Sequence, residues 1–98
     1  MQGIILHNKT LGKTYPCFSL QNYDIAATFD YDTTSVNTFL EAAFEATNSI
    51  DYHWSENEGI AVLGDYSKRS TSVGDIIWIE TKIYGVEPFG FSYVTITN

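Results

Sequence analysis

Apolar positions in this chain repeat with two periods, and the change from one to the other outlines the fold. Gly3–His7 is an apolar run of strand length. Lys9–Lys13 contains Gly12 and reads as a turn. Thr14–Leu20 is a second candidate strand, which Pro16 confines to a sheet edge or makes irregular. Asp24–Tyr31 is rich in β-forming residues and predicts a third strand. From Ser35 to about Thr47 the period lengthens: Val36, Phe39, Leu40, Ala43 and Phe44 follow the spacing of one buried helix face. Asp32, Thr33 or Thr34 can cap its start, and Asn48, Ser49 and Asp51 end it. Gly59–Leu63 predicts a short strand, and Asp65–Val73 a polar loop. Ile76–Tyr84 is the strongest strand signal, with Gly85 as its breaker. Phe89–Thr97 alternates Phe91, Tyr93 and Thr95 with Ser92, Val94 and Ile96, and makes a hairpin with the strand before it. The expected fold is α+β. It has a mostly antiparallel sheet of about four to six strands, and one main helix over residues 35–47 packs on one face. A single compact domain spans residues 1–98.

Charge changes what this fold is expected to do. No lysine or arginine occurs between Lys13 and Lys68. That stretch holds nine carboxylates: Asp24, Asp30, Asp32, Glu41, Glu45, Asp51, Glu56, Glu58 and Asp65. Charges of one sign without neighbours to neutralise them build a negative field over part of the surface. The formal net charge of −7 argues against direct binding of nucleic acid and for a partner with a basic surface. On the helix, Asn37, Glu41, Glu45 and Asn48 fall opposite the apolar stripe. Glu41 and Glu45 repel each other across one turn, at a cost of a few tenths of a kcal/mol.

The apolar fraction of 44% predicts a folded chain, and seven tyrosines suit a contact surface. Cys17 is the only cysteine, so no internal disulfide forms, which fits a reducing compartment. No apolar run approaches the length of a membrane-crossing helix. The start at Met1 lacks the features of a signal peptide, so the chain is expected to be a small cytoplasmic protein.

Candidate chemistry is sparse. Cys17 with His7 or His53 would supply a nucleophile and a base, but nothing in their spacing brings them together. Asp30-Tyr31-Asp32 and Glu56-Asn57-Glu58 each put two acids on one side of an extended segment. Neither has the glycine and distal glutamate of a calcium loop. No metal or other cofactor is expected, and no catalytic residue is assigned. The run from Asp51 to Glu56 mixes Tyr52 and Trp54 with acids in an expected loop. Exposed Trp and Tyr are favoured interface anchors. The expected partner-binding set is therefore Glu41, Glu45, Asp51, Tyr52, Trp54, Glu56, Glu58 and Asp65.

The segment Arg69-Ser70-Thr71-Ser72-Val73-Gly74-Asp75-Ile76-Ile77 has turn chemistry. Ser70 and Ser72 can bond backbone groups, Gly74 admits an unusual backbone angle, and Asp75 can accept from turn amides. Arg69 can pair with Asp75 or a nearby carboxylate. This reading is structural; a backbone nest for an anion is the alternative, and the surrounding acid disfavours it. The same segment resembles one found in YodL-like small proteins carried by plasmids, phages and other mobile elements. There it follows a helix that ends near an Asn, and leads to a strand and a Gly-Phe pair, as with Asn48, Ile76 and Gly90-Phe91 here. The resemblance spans about residues 39 to 94. It implies a mobile-element setting rather than an activity.

These observations together give the expected function. The chain is expected to be a non-enzymatic acidic protein of a phage or mobile element. It would bind and inhibit a host defence protein, of the anti-CRISPR or anti-restriction type, in the host cytoplasm. The partner would carry a basic surface, such as that of a nuclease complex which binds nucleic acid. The alternatives are a self-associating accessory protein, a homodimer paired through an edge at Thr14–Leu20 or Phe89–Thr97, and a small-molecule-binding domain.

Overall fold

A computed structural model describes residues 1–15, 17–48, 54–63 and 69–94. Its elements are β1 (Gln2–Asn8), β2 (Tyr23–Asp30), α1 (Val36–Ala46), β3 (Ile60–Val62), β4 (Ile76–Ile79), β5 (Lys82–Glu87) and β6 (Gly90–Val94). The strands form one six-stranded sheet in the order β3-β2-β1-β4-β5-β6. Every ladder is antiparallel. With α1 packed on one face, this is an α+β fold. No helix among the described residues is long and apolar enough to cross a membrane.

β1 lies inside the sheet, and both of its faces are covered. Ile5 joins Phe39, Leu40 and Ala43 of α1 in a cluster with Phe29, Ile77, Ile79 and Val86. Each large side chain taken out of water there contributes about 1.5–3 kcal/mol. On the opposite face Leu6 packs with Phe18, Tyr23, Ile76 and Ile83. Ile5 pairs with Ala27 and Leu6 with Ile25, so Ala26 is the extra residue of a bulge in β2. The bulge explains how two successive residues, Ala26 and Ala27, can both be buried, and both lie against Trp54.

Several elements differ from the sequence expectation. Residues 14–20 form no strand beyond a single bridge at Phe18, with Pro16 outside the described residues. Tyr15 and Phe18 instead lay their rings against Tyr23, and Phe18 also meets Trp78 edge-on. The segment thus covers the second face of the sheet and is not an edge for pairing. The helix is capped by Ser35, whose hydroxyl accepts from Thr38 N at 3.2 Å, and not by Asp32, Thr33 or Thr34. Val36 is exposed rather than part of the buried stripe.

The run Ile76–Tyr84 is two strands, not one. β4 turns into β5 at Glu80 and Thr81, with Ile79 paired to Lys82. Glu80 takes φ 54°, and Trp78 Nε1 donates to its carbonyl at 2.7 Å. The turn lacks the Asn-Gly or Asp-Gly signature that marks such hairpins, so the pattern hides it. Gly85 sits inside β5 and faces Ser92 and Val94 of β6. β5 and β6 form the expected carboxy-terminal hairpin.

Candidate functional site

Helix α1 separates two open grooves. The first, of about 530 Å³, lies between α1, the end of β2 and the turn before β3. Asp30, Asp32, Glu45 and Glu58 line it around an apolar floor that includes Phe29 and Ala42. The second, of about 360 Å³, lies between α1 and the β5–β6 hairpin. Phe44, Val86 and Phe91 form its floor, and Glu41, Glu45 and Glu87 stand around it. Glu45 belongs to both, because it projects from the outer ridge of the helix. All six of these carboxylate residues are exposed. Among the described residues none of them pairs with a lysine or arginine.

The local structure that holds the first groove is specific. Gly59 adopts φ +83°, and its carbonyl accepts from Asp30 N at 3.0 Å. A Cβ on Gly59 would collide with the Asp30 carbonyl oxygen, so only glycine lets the turn approach β2 this closely. Asn57 Nδ2 donates to Ala46 O at 2.6 Å and ties the same turn to the last residue of α1. Met1 N and Tyr31 O, and Tyr31 N and Met1 O, are bonded at 2.8 and 2.9 Å, which anchors the Asp30–Asp32 side. The groove has space for an apolar side chain at its floor and for cationic groups at its rim. Among the described residues no group of three or more His, Cys, Asp or Glu has the arrangement to hold a metal ion.

The sequence-predicted residues divide. Glu41, Glu45 and Glu58 stand on these grooves. Asp51, Tyr52, Asp65 and the Glu56 side chain lie outside the described residues. Trp54 is a correction: it is 1% exposed and cannot anchor a partner from the surface. It packs on Ala26 and Ala27, and its Nε1 donates to Arg69 O at 2.9 Å. Burial of that large ring outweighs any role at the rim.

The Arg69–Asp75 segment forms a buried polar knot. Asp75 is fully buried and accepts from Asn8 N at 2.8 Å and Ser72 N at 2.7 Å. Arg69 grips both of its oxygens at 2.6 Å and donates to Ser70 O and Asn8 O. Gly74 takes φ +94°, where a Cβ would meet the Lys13 carbonyl at 2.7 Å. Thr71 N donates to Thr47 O and so satisfies a carbonyl at the end of α1, while Asn48 Nδ2 donates to Thr71 O.

His7 is fully buried in the same region, with Nε2 2.9 Å from Thr71 Oγ1 and its ring edge-on to Trp54. Burial pushes its pKa down to about 4, against the opposing pull of Asp75. Its ring nitrogen is engaged in packing and hydrogen bonding with Thr71. Cys17 is half-buried, and His53 lies outside the described residues.

Sequence reasoning missed the gathering role of Asp30, Asp32, Glu87, Asn57 and Gly59. The Glu58-Gly59 pair at the start of a strand was the available signal for a tight turn. Compared with known proteins, the chain matches no family model, no curated protein and no solved structure.

Proposed function

We propose that this chain is a small, non-enzymatic binding protein whose acidic face around α1 docks onto a basic surface of another protein. The observation that carries this reading is the convergence of Asp30, Asp32, Glu45 and Glu58 on one open groove with no cation beside them among the described residues. Exposed charge of one sign steers encounter with an oppositely charged surface, and apolar floor residues supply contact area. The resemblance of residues 69–77 to mobile-element proteins gives the setting. In it the partner is a host defence protein, and occupying its nucleic-acid-binding surface inhibits it, as an anti-CRISPR or anti-restriction protein does.

The test is capture of partners from a host lysate on the immobilised chain at low salt, followed by release with salt. The expected result is a basic protein that elutes as salt rises, and that Glu41→Lys with Glu45→Lys fails to capture. Capture that neither salt nor this double substitution disturbs would contradict the reading.

A further inference from the structure

Of the grooves and strand edges around α1, the side of the molecule formed by β6 and the second groove says most about the form of the partner. β6 closes the sheet order, so within the sheet its backbone has a neighbour, β5, on one side alone. Such an edge presents a row of N–H and C=O groups ready to pair with another extended chain. Proteins protect such edges with lysine, proline or charge in the strand, and Gly90-Phe91-Ser92-Tyr93-Val94 has none of these. Phe89, at the tip of the hairpin, is 98% exposed, and Tyr93 is 63% exposed. Beside this edge the groove has an apolar floor of Phe44, Val86 and Phe91, a rim of Glu41, Glu45 and Glu87, and, among the described residues, no lysine or arginine in its lining.

We infer that this edge and groove take an extended basic segment of the partner as a seventh strand. The inference rests on the proposed function, because it assumes that the partner is basic. Side chains of an added strand alternate between two faces. On the face toward α1, aliphatic or aromatic residues meet the groove floor, and lysine or arginine beside them meets the glutamates. Main-chain pairing supplies affinity, and the alternation supplies selectivity. A second copy of this chain is the poorer occupant. It would bring together two chains of net charge −7 and two sets of rim glutamates. At the other end of the sheet, β3 is three residues long and offers a shorter ladder.

The test is selection of displayed random octapeptides on the full chain at low salt. Affinities of the enriched sequences are then measured, with amide hydrogen exchange and solution mass. The expected winners place lysine or arginine two residues from an aliphatic or aromatic residue, so that both reach the groove from one face of the added strand. They slow exchange over residues 90–94, and they lose at least tenfold in affinity with Phe89→Ser and with the pair Glu41→Gln and Glu87→Gln. Basic winners that ignore Phe89→Ser and leave exchange at 90–94 unchanged would overturn this inference while leaving the acidic-face reading intact. Winners without positive charge would overturn both, and no winners would overturn this inference alone. A chain that is already dimeric, with residues 90–94 protected before peptide is added, would overturn the inference in favour of self-pairing.

Discussion

The carboxylate of Asp75 is fully buried and accepts four hydrogen bonds, two of them from Arg69. The carboxylates of Asp30, Asp32, Glu45 and Glu58 stand exposed around a groove with no cation beside them among the described residues. The difference follows from solvent. A buried charge without a partner costs several kcal/mol, so the fold holds Asp75 only with every acceptor site satisfied. Exposed charges are solvated, and their mutual repulsion costs a few tenths of a kcal/mol per close pair. The first region is therefore tied to folding. The second contributes little to folding that neutral residues could not.

Breaking the matched region gives the largest effect. Asp75→Ala leaves Arg69 and two backbone amides without their acceptor, and is expected to lower stability by about 3–5 kcal/mol in denaturant titration. A loss under about 1 kcal/mol would mean that the knot does not lock the fold. Acid attacks the same region through His7. Its folded pKa is depressed from 6.5 to about 4, so the fold favours the neutral ring. Stability from this group is fully present above pH 6.5 and is lost as pH falls from 6.5 toward 4. The change amounts to about 3 kcal/mol over that window, at roughly 1.4 kcal/mol per unit. His7→Gln, which keeps a polar partner for Thr71, should flatten the pH–stability curve there. An unchanged slope would place the titration elsewhere.

Gly59 joins folding to the acidic face. Gly59→Ala must leave φ +83° or push its Cβ from the Asp30 carbonyl. The expected cost is about 1–3 kcal/mol, together with weaker partner binding as Glu58 moves from Asp30 and Asp32. The smallest effect on stability belongs to the unmatched region. Asp30→Asn, Glu45→Gln and Glu58→Gln together should leave the melting temperature almost unchanged or slightly higher, within about 0.5 kcal/mol each. A large destabilisation would show that these acids have structural partners.

Much of the fold is legible in the sequence. The helix stripe of Phe39, Leu40 and Ala43 and the run at Gly3–His7 carry period and length signals strong enough to survive folding. The chain around Glu80 is not legible, because its turn uses residues without turn chemistry and is held by the ring of Trp78. The role of Trp54 is also hidden. Its neighbours in sequence are polar, and its burial depends on the bulge at Ala26, which is a long-range feature.

The acidic face is half legible. Glu41 and Glu45 follow from helix period, whereas Asp30, Asp32 and Glu58 join them only through the Gly59 approach and the Asn57 bond to α1. The Arg69–Asp75 motif is legible as turn chemistry, and its residues are consumed by the buried knot.

The most direct measurement is the affinity of the captured partner between about 50 mM and about 500 mM salt, for the native chain and for the Asp30→Asn, Glu45→Gln, Glu58→Gln variant. The account predicts that the native chain loses at least tenfold in affinity over this range, and that the variant binds weakly at low salt with a much shallower dependence. Equal affinities and equal salt slopes for the two chains would contradict it.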